Sequence, residues 1–78
     1  MRDEEKSAAA RALLDNPLFH LLMDDIETAA INGCVHAKPT DHDARAAYAA
    51  EVRAIRNFRS KLNHLSEEAK AGGNQAPA

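Results

Sequence analysis

Apolar residues return every three to four positions along two stretches of this chain, from Leu13 to about Ile31 and from Ala44 to Leu65, and the recurrence breaks at Pro39-Thr40. That spacing is the period of an α-helix with one buried face. In the first stretch Phe19, Leu22, Met23, Ile26 and Ala30 form the stripe, Leu18 and Leu21 widen it, and Asp24, Asp25 and Glu27 fall mostly outside it. In the second, Tyr48, Val52, Ile55, Phe58, Leu62, Leu65 and Ala69 are spaced four, three, three, four, three and four. This is close to the 3.5-residue repeat of a coiled-coil seam. Two stripes joined by one turn predict an all-α fold, an antiparallel helical hairpin.

Local signals place the helix ends. Asp3 to Leu14 favours a short first helix through Glu4, Glu5, Lys6 and the run Ala8-Ala9-Ala10, with acidic residues where the helix dipole welcomes them. Asn16 is a good N-cap and Pro17 suits the first helical position, so a second helix is expected to start at Pro17. The alternative is one continuous first helix kinked at that proline. Gly33 is the expected stop, Cys34 to Pro39 a short connector, and Pro39 biases Lys38 away from helical geometry. Thr40 offers the cap of a third helix running from about Asp41 to Lys70, with Asp41 and Asp43 standing where a capping box has Glu. Residues 1–71 then form one helical domain, and the run from Gly72 to Ala78 a flexible C-terminal tail.

Composition narrows the core. Seventy-eight residues with three Gly and three Pro make one small domain with too few turn signals for a sheet. Tyr48, Phe19 and Phe58 are the only aromatic residues and Trp is absent, so the core must be narrow and aliphatic. The net charge of −2 hides a division: residues 1–43 carry four Lys/Arg against nine Asp/Glu, and residues 44–78 six against three. Opposite signs favour pairing of the two helices or head-to-tail association of copies, although an exposed pair contributes only about 0 to 1 kcal/mol. An overall acidic chain does not bind nucleic acid through bulk charge. The single cysteine, Cys34, has no internal partner and points to a reducing compartment, with an intermolecular bridge left open. Apolar runs are short and the N-terminus is charged, so neither a signal peptide nor a membrane span is expected and the protein should be soluble.

Little in the sequence carries chemistry. Cys34-x-His36, with His42 six residues on between Asp41 and Asp43, has the ligand types of a zinc site but the spacing of no standard zinc module, so an ordinary polar turn is expected, with no metal and no cofactor. His20 and His64 stand apart from it. Asp24 and Asp25 are adjacent on a helix, point about 100° apart and cannot converge on one reacting atom. With no phosphate loop and no nucleophile beside a base, neither an enzymatic reaction nor a small-molecule substrate is expected. Arg45, Arg53, Arg56 and Arg59 share one arc of the last helix, away from the centre of its stripe. They could grip phosphates, yet without interleaved aromatics they more readily meet the acidic Asp24, Asp25 and Glu27 of the same chain or a copy.

The apolar seam is the remaining candidate: Leu18, Phe19, Leu22, Met23 and Ile26 on one helix, with Tyr48, Val52, Ile55, Phe58, Leu62 and Leu65 on the other. Burying such side chains at about 1.5 to 3 kcal/mol each must offset about 1 to 2 kcal/mol of backbone entropy per ordered residue, which leaves an isolated hairpin marginal. Self-association into a helical bundle or ring relieves this.

Ala12-Leu13-Leu14-Asp15-Asn16-Pro17-Leu18-Phe19, followed by a helix, a short polar turn and an Arg-rich helix ending near Leu62-Asn63-His64-Leu65, resembles small helical proteins of tailed bacteriophages encoded among head-assembly and packaging genes. The resemblance covers residues 8 to 70 and implies a non-enzymatic virion-associated or assembly role, in the virion or the host cytoplasm. The partner would be a second copy or a larger head, portal or tail protein. Two alternatives accompany it: a small-terminase-like packaging accessory gripping DNA through the four arginines, and an inhibitor of a host defence protein acting through the acidic patch.

Overall fold

In the computed structural model the backbone is described over residues 1–74 and the side chains over residues 1–68. Three helices make up the regular structure: α1 (Asp3–Leu14), α2 (Pro17–His36) and α3 (His42–Asn74). The fold is all-α.

Asn16 divides the first arm. Its backbone is extended (φ −88°, ψ 112°) and its Oδ1 accepts the Leu18 N–H at 3.0 Å, with Pro17 at the first helical position. On the other side the amides of Asp15 and Asn16 donate to the carbonyls of Arg11 and Leu13 at 2.9 and 3.1 Å. The His20 ring adds a third bond, its Nε2 donating to the Leu14 carbonyl at 2.5 Å. A carbonyl only accepts, so the proton sits on Nε2. Pro17 therefore separates two helices, and the kinked continuous helix is not formed. Asn16→Ala is expected to lower stability by about 1 kcal/mol, read as a lower urea midpoint with an unchanged slope. No loss would mean that the proline alone sets this boundary.

The other ends differ from the expected ones. Gly33 does not stop α2: the helix runs on to His36, and the Ala37 amide closes it on the Gly33 carbonyl at 3.0 Å. Among the described residues no glycine adopts the positive φ that a glycine cap uses. Gly33 instead lies against Tyr48, where a Cβ would stand 2.5 Å from Cε1 of the ring. The connector is correspondingly short. Asp41, not Thr40, caps α3, its Oδ1 accepting the Ala44 N–H at 3.0 Å. A carboxylate there also complements the positive end of the helix dipole. At the other end α3 continues through Gly72 and Gly73 to Asn74, past the point assigned to the tail, while residues 75–78 lie outside the described part.

α1 and α2 both pack on α3 and touch each other little. Pairs Gly33 with Tyr48, Glu27 with Arg56 and Asp24 with Arg59 climb one helix while descending the other, so α2 and α3 are antiparallel. Since the start of α2 already lies opposite Phe58 and Arg59, α1 packs on the part of α3 beyond them. Ser7 and Ala10 are buried on α1, and Leu62 and Ser66 on α3. Small residues on both helices let the axes approach closely. The apolar interior comprises Ala10 and Ala30, each 2% exposed, and Leu62 at 7%, and no large side chain among the described residues is fully enclosed.

Candidate association surface

At about 100° per residue the two sides of the α2–α3 pair can be told apart. On α2 the inward arc is marked by Ala30, Met23 and Phe19; on α3 by Val52, Ile55 and Leu62. One side carries Asp24, Glu27, Ile31 and Val35 of α2 beside Ala49, Arg53 and Arg56 of α3. The opposite side carries Leu18, Leu22 and Ile26 beside Phe58.

The first side carries the ion pairs, toward the start of α2. Arg59 Nη2 donates to Asp24 Oδ1 at 2.6 Å and to the His20 carbonyl at 3.3 Å, and Arg56 Nε lies 3.7 Å from Glu27 Oε1. Two of the four arginines thus meet the acidic cluster of their own chain. Arg45 turns to the start of its helix, where its Nη2 donates to His42 Nδ1 at 2.7 Å. The Nε atoms of Arg45 and Arg59 are buried, while their Nη2 atoms meet His42 and Asp24 at the surface. Arg53 lines a shallow groove with Ile31, Cys34, Val35 and Val52. Three of the four arginines are thus engaged within their own chain, and Arg53 lines the groove.

The residues with zinc-ligand chemistry have other neighbours. Cys34 is half-buried, its thiol donating to the Arg45 carbonyl at 3.8 Å, and His42 is engaged by Arg45. Among the described residues no three His, Cys, Asp or Glu side chains converge on a point that would hold a metal ion. His64 sits 3.1 Å from Glu68, one turn away on α3 and remote from Cys34 in sequence.

On the second side the apolar residues of α2 stay open. Leu18, Leu22 and Ile26, spaced one helical turn apart, are 57, 50 and 51% exposed, and Phe58 is 47% exposed although its ring rests on Phe19 at a centroid distance of 6.2 Å. The seam expected from the sequence is thus divided. Leu62 is buried; Phe19, Met23, Val52, Ile55 and Leu65 are half-buried; Leu18, Leu22, Ile26, Tyr48 and Phe58 remain substantially exposed. Leu18, Leu22, Ile26 and Phe58 thus share one face, with the ion pairs on the other.

Sequence reasoning passed over two elements here. The Gly33–Tyr48 contact had a faint signal, a glycine within a helical run, which marks a close approach as readily as a stop. The Ser7/Ala10 contact had one in the three-residue spacing of small side chains on α1. Among the described residues no helix is long and apolar enough to cross a membrane. Comparison with protein-family models found no match, and neither the curated proteins nor the solved structures gave one.

Proposed function

We propose that this protein is a non-enzymatic association module that packs the apolar side of its α2–α3 pair against the helices of a protein partner. The observation that carries the reading is the row Leu18, Leu22 and Ile26 beside Phe58, each about half exposed or more, on the side of the pair that the ion pairs leave open. Burying the exposed part of such side chains is the general driving force for association. A thin aliphatic interior gives the isolated chain further reason to bury that row elsewhere. The bacteriophage resemblance of residues 8 to 70 supports a role in virion assembly, either as a repeated component or docked on a larger virion protein. With Arg45 on His42, Arg59 on Asp24 and Arg56 beside Glu27, the packaging alternative would have to draw these arginines away from their own chain or rely on Arg53.

Native mass by light scattering coupled to size exclusion tests this reading. Leu22→Asp places a charge in the middle of the row at a position already half exposed, so the fold should persist by circular dichroism. The expected result is loss of association with unchanged helicity. An associated species of unaltered mass would overturn the reading.

A further inference from the structure

Beside its inward stripe, α3 carries a second row spaced four, three, four, three and four: Ala47, Glu51, Ala54, Phe58, Lys61 and Leu65. By helical rotation this row lies on the apolar side of the α2–α3 pair, away from Arg53 and Arg56. Ala47, Glu51, Ala54, Phe58 and Lys61 are exposed and Leu65 is half-buried. Among the described residues neither Glu51 nor Lys61 takes part in an ion pair.

The row is complementary to its own reverse. Laid antiparallel on itself about a point midway between Ala54 and Phe58, it sets Glu51 against Lys61, Ala54 against Phe58 and Ala47 against Leu65. Each acid meets a base and each large side chain meets a small one. Every match occurs twice, as a twofold axis requires of a self-complementary surface. The period of the row is that of helices packed with a small left-handed crossing. Moving the copy along by one heptad in either direction separates Glu51 from Lys61 and keeps one kind of large–small match instead of two, Phe58 on Ala47 or Leu65 on Ala54.

We infer that the partner on this surface is a second copy of the chain, docked α3 against α3 in antiparallel twofold fashion, with Leu22 and Ile26 flanking the contact to complete a four-helix assembly. The inference rests on the association role proposed above and adds to it the identity of the occupant and its register. Charge complementarity selects the copy. A row that carries one acid and one base, symmetrically placed about the midpoint between Ala54 and Phe58, matches itself without requiring any other partner.

The test is sedimentation equilibrium on the full chain across micromolar to sub-millimolar concentrations, at low and moderate salt, with reductant present. Wild type should be a dimer. Glu51→Lys and Lys61→Glu singly each turn two attractive contacts into two repulsive ones and should weaken dimerisation about tenfold or more at low salt. The double swap Glu51→Lys/Lys61→Glu restores opposite charges across the axis and should recover most of the affinity. Both positions are exposed, and unchanged circular dichroism will confirm that the fold is retained. If Leu22→Asp dissociates the dimer while the single charge reversals leave its affinity unchanged, the twofold register is overturned and the association surface stands. A wild type that is monomeric throughout overturns the second copy as occupant. A dimer indifferent to Leu22→Asp and to both reversals overturns the register and the surface together.

Discussion

Replacing Leu62 by alanine should lower the unfolding free energy by about 2 to 4 kcal/mol, the range for truncating a well-buried leucine whose site relaxes only in part. Among the described residues Leu62 is the only large apolar side chain in the buried set, 7% exposed beside Ala10 and Ala30. It lies just past Arg59, where α2 hands over to α1 on the surface of α3. Its truncation therefore removes apolar contact at the place where α1 docks, and α1 has little contact with α2 to compensate. Urea unfolding should show the loss as a lower midpoint, measured at one fixed protein concentration because association adds to apparent stability. Amide exchange should show it locally, with α1 losing protection before α2 does. Leu22→Ala is the comparison: half of that side chain already faces solvent, so its truncation should cost less than half as much. Equal losses at the two positions would mean that Leu22 is as enclosed in solution as Leu62.

The sites where structure could be anticipated are those governed by chemistry within a few residues. Asn16-Pro17 is one: a side chain that accepts the N–H two residues on, followed by a residue that has no N–H to satisfy, starts a helix whatever surrounds it. The two stripes are another, since their period depends only on helix geometry. Thr40 and Asp41 show the limit. Both offer a capping oxygen, adjacent in sequence, and only the path of the chain after Pro39 decides that the Asp41 carboxylate reaches the Ala44 amide. Gly33 shows a different limit. A glycine late in a helical run reads as a stop from sequence alone, whereas its use here depends on a ring fifteen positions away that no local pattern reveals.

The same division holds for the surface. Periodicity identified the apolar residues of α2 and α3, but an amphipathic stripe wider than one neighbouring helix can cover has an edge left over, and the sequence does not say which edge. The ion pairs decide it. Arg59 and Arg56 reach Asp24 and Glu27 along one side, which turns Leu18, Leu22 and Ile26 toward the other. The pairing of those arginines with the acidic cluster was legible as a charge asymmetry between the two halves of the chain; that both contacts would form within one molecule and select the open side was not. Nor was the packing of α1, whose buried residues are a serine and an alanine that carry little hydropathic signal.

Gly33→Ala should reverse sign according to what stands at position 48. In an exposed helix the change is worth about 1 kcal/mol in favour of alanine, because glycine loses more backbone freedom on folding. Here the new methyl carbon would meet ring atoms of Tyr48 at 2.5 and 2.7 Å, far inside van der Waals contact, so the ring must swing out or the helices must part. Overpacking of that kind costs about 1 to 3 kcal/mol. Tyr48 is 36% exposed, which gives the ring room to move and keeps the cost from the upper end of that range. The single variant should therefore be neutral to moderately destabilised. In a Tyr48→Ala background the obstruction is gone, and Gly33→Ala should stabilise by about 1 kcal/mol, the propensity difference alone. The double-mutant cycle isolates the contact, with a coupling of about 1 to 3 kcal/mol between the two positions. If Gly33→Ala stabilises equally in both backgrounds, Tyr48 does not rest on Gly33, and the glycine has no bearing on how closely α2 and α3 approach.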